Sequence, residues 1–145
     1  MRPSLFFRIA AMVNLLFAFG HTAGFLTFAP KSVEGQAAVR AMAVIFSEDG
    51  TRYSFQGFYR GFGLSCTLAM LLIAVLSWWL SGLAKTAPRA TILPGSALIA
   101  YQIGGLVLAS LFFPAPAVIF SAILPVLYAI AVAGAARASD TSPRA

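Results

Sequence analysis

The sequence predicts an all-α integral membrane protein, an antiparallel four-helix bundle of transmembrane spans. Two observations carry that reading. Of 145 residues, 60% are hydrophobic and only 10% charged, whereas soluble domains average about 25% charged residues. The charges also fall at intervals: none lies between Arg8 and Lys31, from Gly61 to Ala84, or from Ala90 to Ala136. Each of those stretches reaches the roughly 20 residues that cross a hydrocarbon layer about 30 Å thick.

Span one is expected over residues 5–28. Its basic start and apolar run resemble a secretory signal, but the run is longer than a signal core and no small-x-small cleavage site follows, so a retained helix is expected. Pro30 is poorly suited to helix continuation, and Lys31 reaches the interface. Residues 29–55 form the one substantial polar connection. Within it Val39, Met42, Ile45 and Phe46 recur at helical spacing, which predicts a short amphipathic helix ended by Ser47-Glu48-Asp49-Gly50. This connection is expected to cap the non-cytoplasmic mouth of the bundle.

Span two is expected over residues 56–80, with Trp78 and Trp79 at the headgroup boundary. A short connection carrying Lys85 and Arg89 follows. The uncharged run from Ala90 to Ala136 would extend about 70 Å as one helix at 1.5 Å per residue, so it must turn. Phe113-Pro114-Ala115-Pro116 supplies the break, giving spans three and four over residues 92–113 and 117–136. Residues 137–145 read as a flexible cytoplasmic tail.

Four spans place the N-terminus, the second connection and the C-terminus on one side. That side carries Arg2, Arg8, Lys85, Arg89, Arg137 and Arg144 against Asp140. The other carries Lys31, Arg40, Arg52 and Arg60 with Glu34, Glu48 and Asp49. The basic excess puts both termini in the cytoplasm. The net charge of +6 does not indicate nucleic acid, because the cations sit singly at span ends without forming a stripe that follows phosphates. Membrane lipids are the expected partners.

Polar residues inside the spans are the candidate functional groups. Gly20-His21-Thr22-Ala23-Gly24 holds the one histidine, with Asn14 seven residues earlier on the same face. In span two, Gln56, Arg60, Gly63 and Thr67 share a helical face, with Tyr59 beside them. Span three contains Tyr101-Gln102 and then Gly104-Gly105; span four contains Pro125 and Tyr128. A polar pocket of His21, Gln56, Tyr59, Arg60 and Gln102 is one expectation. Packing roles for Asn14, Gly20, Gly24, Gly57, Gly61, Gly63, Gly104 and Gly105 are the other.

Several chemistries lack their residues. Cys66 is the only cysteine, so no intrachain disulfide forms, and no His or Cys cluster predicts a metal or other cofactor. The spans contain no Asp or Glu, which counts against proton-pump and paired-carboxylate mechanisms.

Gly20-His21-Thr22-Ala23-Gly24-Phe25, together with Phe58-Tyr59-Arg60-Gly61-Phe62-Gly63, resembles a group of uncharacterised bacterial four-span membrane proteins. A looser likeness to DoxX-type four-helix proteins rests on size and hydrophobicity. The resemblance implies the four-span architecture and a bacterial inner membrane, and it carries over no catalytic residue. The leading functional expectation is a non-enzymatic protein that binds a lipid-like or amphipathic molecule or supports a membrane assembly. Two alternatives are an intramembrane isomerase or oxidoreductase using His21, and a small-solute transporter acting as a homo-oligomer.

Overall fold

The computed structural model describes residues 2–140; Arg144 and the rest of the expected tail from Thr141 onward lie outside the described residues. The helices are α1 (Pro3–Thr27), α2 (Val33–Met42), α3 (Phe55–Thr86), α4 (Ile92–Phe112) and α5 (Ala115–Asp140). A hairpin of β1 (Phe46–Glu48) and β2 (Thr51–Tyr53) separates α2 from α3, and a 3-10 turn (Pro88–Thr91) precedes α4. Four helices, α1, α5, α3 and α4 with its preceding turn, are long and apolar enough to cross a membrane. The protein is a multi-pass integral membrane protein of all-α class.

The chain divides into two compact units. One comprises residues up to Phe17 together with those from Met70 onward; the other comprises Ala18–Ala69.

In the first unit, parts of α1 and α3 pack with α4 and α5 as a four-helix bundle. Lipid tails are as apolar as leucine, so burying large apolar side chains gives helices in a membrane little reason to associate; close packing by small residues does. The buried positions follow that rule. On α3 they are Ile73, Ala74, Ser77, Leu80, Ser81 and Ala84, a stripe spaced four, three and four apart. On α5 they are Ser121, Leu124, Pro125, Tyr128, Ala131 and Ala135. Helix α4 touches the bundle along a narrower line, Gly95, Gln102 and Ala109, seven residues apart each time. The reverse faces are apolar and exposed: Leu93 is 81% exposed and Leu111 68%, while Asn14 is 1% exposed. Polar side chains inside and large apolar ones outside suit a lipid solvent and not water.

Gly95 is the most closely packed glycine of this unit. A β-carbon there would lie 2.5 Å from Val132 Cγ2 and 3.2 Å from Phe7 Cζ. Val132 is stiff at χ1 and Phe7 is fully buried, so neither yields easily.

In the second unit, the later part of α1 lies beside the start of α3. Helix α2 is capped by Ser32, whose Oγ accepts from the Gly35 amide at 3.0 Å, and it buries none of its residues. Ser54 likewise accepts from the Gly57 amide at 3.1 Å and opens α3.

Several element limits differ from those expected. The periodicity through Val39, Met42, Ile45 and Phe46 does not continue as one helix: α2 stops at Met42 and Phe46 begins β1. Asp49 and Gly50 both have positive φ, 50° and 77°. That pair forms the two-residue turn that matches strand twist, with Phe46 opposite Tyr53 and Glu48 opposite Thr51. Helix α3 passes Trp78 and Trp79 and continues to Thr86, because Ser81 and Ala84 extend its packed stripe. Helix α5 begins at Ala115, and residues 137–140, expected in the tail, remain helical in an alanine-rich stretch with high helix propensity.

Candidate functional site

Within the first unit, polar side chains from all four helices meet. Asn14 of α1 donates from Nδ2 to the Ala10 carbonyl and to Tyr128 Oη of α5, each at 2.9 Å. Ser77 of α3 donates to the Ile73 carbonyl at 2.7 Å and lies 2.5 Å from Tyr128 Oη. Gln102 of α4 donates from Nε2 to Asn14 Oδ1 at 3.5 Å, a long contact. Each hydroxyl has one proton, so the directions follow. The Ser77 proton goes to Ile73; Tyr128 therefore donates to Ser77 and accepts from Asn14. The chain runs from Gln102 through Asn14, Tyr128 and Ser77, and ends on a backbone carbonyl.

That ending determines what the chain does. A carbonyl accepts the last hydrogen bond and passes no proton on, so the network fixes four helices in register and forms no relay. Among the described residues, no buried side-chain nitrogen or oxygen lacks a partner. A fully satisfied network of this kind holds one arrangement of the helices, since any other leaves polar groups unpaired in a medium without water.

The second unit holds a different set. His21 Nε2 lies 3.1 Å from the Gly63 carbonyl. A carbonyl only accepts, so Nε2 carries a proton and donates it to Gly63, which leaves Nδ1 outside that bond. One turn along, Thr22 Oγ1 and Thr67 Oγ1 are 2.8 Å apart; each also reaches the carbonyl four residues before it in its own helix. The His21 ring tilts against Phe25 with centroids 5.2 Å apart, and Phe25 meets Tyr59 edge-on at 6.3 Å. Tyr59 and Arg60 are exposed, and Gln56 is half-buried. The expected pocket residues are thus only partly gathered. His21, Gly63 and Tyr59 are linked through Phe25, and Arg60 shares the Gly63 face of α3 by its i, i+3 spacing. Gln102 gives its amide to Asn14.

The glycines also divide. At Gly63 a β-carbon would approach the Phe25 ring to 2.9 Å, and at Gly57 it would meet Ser54 Oγ at 3.3 Å. At Gly105 the nearest atom is Gln102 Oε1, 4.0 Å away. At Gly20, Gly24, Gly61 and Gly104 nothing lies within 4 Å, so no neighbour in this chain requires glycine there. Gly95, Ser77 and Ser81 were not singled out from sequence. The available signal was the small-residue stripe of α3, in which Ser77 and Ser81 stand four apart on the face that also carries Ile73 and Ala84.

Cys66 is exposed and unpaired as a disulfide. Among the described residues, no three His, Cys, Asp or Glu side chains gather as a metal-binding group. In comparisons with known proteins, no family model, curated protein or solved structure matches the chain, so the DoxX-type likeness gains no support and the four-span helical architecture is what stands.

Proposed function

We propose that the protein is a non-enzymatic, lipid-associated membrane protein of the bacterial inner membrane, with both termini cytoplasmic. In this reading it holds a lipid-like or amphipathic molecule at the His21, Tyr59 and Arg60 surface. The supporting observation is how the polar groups are distributed. Those buried in the bundle have partners in other side chains or in backbone carbonyls, whereas groups with spare capacity lie where a lipid reaches them. His21 Nδ1 lies outside the Gly63 bond, Phe25 and Tyr59 supply an aromatic wall, and Arg60 adds a cation on the exposed face. An amphipathic molecule suits that set: an apolar body against the rings and a polar head between the imidazole and the guanidinium.

The test is native mass spectrometry after gentle extraction, comparing wild type with His21→Ala and Arg60→Ala proteins of verified helical content. A discrete retained molecule, lost from both variants, supports the reading and identifies the ligand class. Equal retention in all three samples contradicts it.

A further inference from the structure

The geometry points to a second binding site, at the end of the first unit where α1 begins and α3 ends, that takes a phosphate oxyanion such as an anionic lipid headgroup presents. It rests on the lipid-associated reading above but uses none of the same residues. A cleft of about 240 Å³ opens there, lined by Arg2, Ser4, Leu5, Arg8, Ser81 and Lys85. That volume far exceeds the roughly 30 Å³ of one liquid water.

Three of the six lining residues are cations and none is a carboxylate. Three like charges around one cavity repel one another, and a bound anion relieves that repulsion. Ser81 Oγ donates to the Ser4 carbonyl at 2.8 Å, which ties α3 to the first turn of α1 beside the cleft. The three side-chain cations set the potential there.

Donor capacity is also available. The Ser81 proton is committed to Ser4, so Ser81 contributes only lone pairs. Two guanidinium forks and one ammonium remain as phosphate donors. Arg8 is already positioned, its guanidinium carbon 4.9 Å from the centre of the Trp78 ring. No carboxylate lines the cleft to occupy its N–H donors.

The surroundings favour a lipid over a free ion. Leu5 lines the cleft, and Leu5, Trp78 and Trp79 are all more than half exposed. Indole rings favour the headgroup level, so the cleft sits where a lipid phosphate resides, with apolar surface beside it for the acyl chains.

The experiment uses the full chain in detergent, offered phosphatidylglycerol or phosphatidylcholine with identical acyl chains and read by native mass spectrometry. Wild type is expected to retain phosphatidylglycerol preferentially. Arg2→Gln and Lys85→Gln are each expected to cut that preference about fivefold, and the double variant roughly twenty-five-fold. Arg40→Gln, on exposed α2, should leave it unchanged; a molecule that co-purifies with wild type and persists in the Arg2→Gln and Lys85→Gln variants separates failure of this site from failure of the His21 surface. Added inorganic phosphate distinguishes the source. Failure to displace the lipid identifies a headgroup site, and displacement identifies one that also takes the free ion. A wild type without preference, or a double variant that keeps it, overturns the proposal. Should the glutamine variants not fold, phosphatidylglycerol carrying a photoreactive headgroup decides on wild type. Labelling within residues 2–8 and 78–85 supports the site, and labelling confined elsewhere overturns it.

Discussion

Tyr128 Oη accepts a hydrogen bond from Asn14 Nδ2 at 2.9 Å and passes its own proton to Ser77, so one phenol joins α5 to both α1 and α3. Tyr128 is fully buried. Replacing it with phenylalanine keeps the ring against Phe7 but removes two interhelical hydrogen bonds and leaves an Asn14 N–H unpaired. Such bonds within membranes average about 0.6 kcal/mol, with a measured ceiling near 1.7. A stranded donor costs about 1–3 kcal/mol. Tyr128→Phe is therefore expected to lose roughly 1–2 kcal/mol of stability in detergent unfolding, with non-additive coupling to Ser77→Ala. Additive single and double variants would show that the network does not act as a unit.

Gly95 and Gly104 lie on the same helix and predict opposite outcomes. Gly95→Ala forces a methyl into Val132 and Phe7, and overpacking of this kind costs about 1–3 kcal/mol. Gly104→Ala meets open space, so it is expected to be neutral or to stabilise α4 by about 0.5–1 kcal/mol through helix propensity. Thermal unfolding of the two variants checks the contrast.

The spans were legible in the sequence because charge spacing and proline placement are local signals, and Phe113 to Pro116 marked the α4–α5 break. The hairpin was less so. Val39, Met42, Ile45 and Phe46 fit a helical period, yet Asp49-Gly50 between short runs is itself a strong hairpin signal, and the turn overrode the period. The candidate site was legible in residue type but not in pairing. Asn14, Gln102 and Tyr128 stand out as polar groups in apolar helices, but which of them meet depends on helix rotation, which one sequence does not encode locally. Gly95 escaped notice because its requirement comes from Val132 and Phe7, both far away in the chain.

The hairpin supplies a local prediction. Gly50 has φ of +77°, so Gly50→Ala puts a β-carbon in the left-handed region at a cost of about 1–2 kcal/mol. Limited proteolysis is expected to cut faster between α2 and α3 in that variant. Unchanged cleavage would indicate that the turn conformation is not needed to protect this connection.

In the second unit, Thr22→Val and Thr67→Val each remove the hydroxyl pair while nearly preserving shape. The Gly63 carbonyl keeps its His21 donor when Thr67 is replaced. The expected coupling between the two substitutions is about 0.6 kcal/mol, the average for such membrane pairs. A double-mutant cycle in detergent measures it, and zero coupling would contradict the Thr22–Thr67 bond.

On the proposed function, the buried polar chain holds the helices while the His21 surface holds the lipid-like molecule. Parallel native mass spectrometry and thermal unfolding of Tyr128→Phe and His21→Ala separate those roles. Tyr128→Phe is expected to be less stable but to retain the molecule, and His21→Ala to lose the molecule with little loss of stability. A folded Tyr128→Phe protein that has lost the molecule, beside a His21→Ala protein that keeps it, would overturn that division of roles.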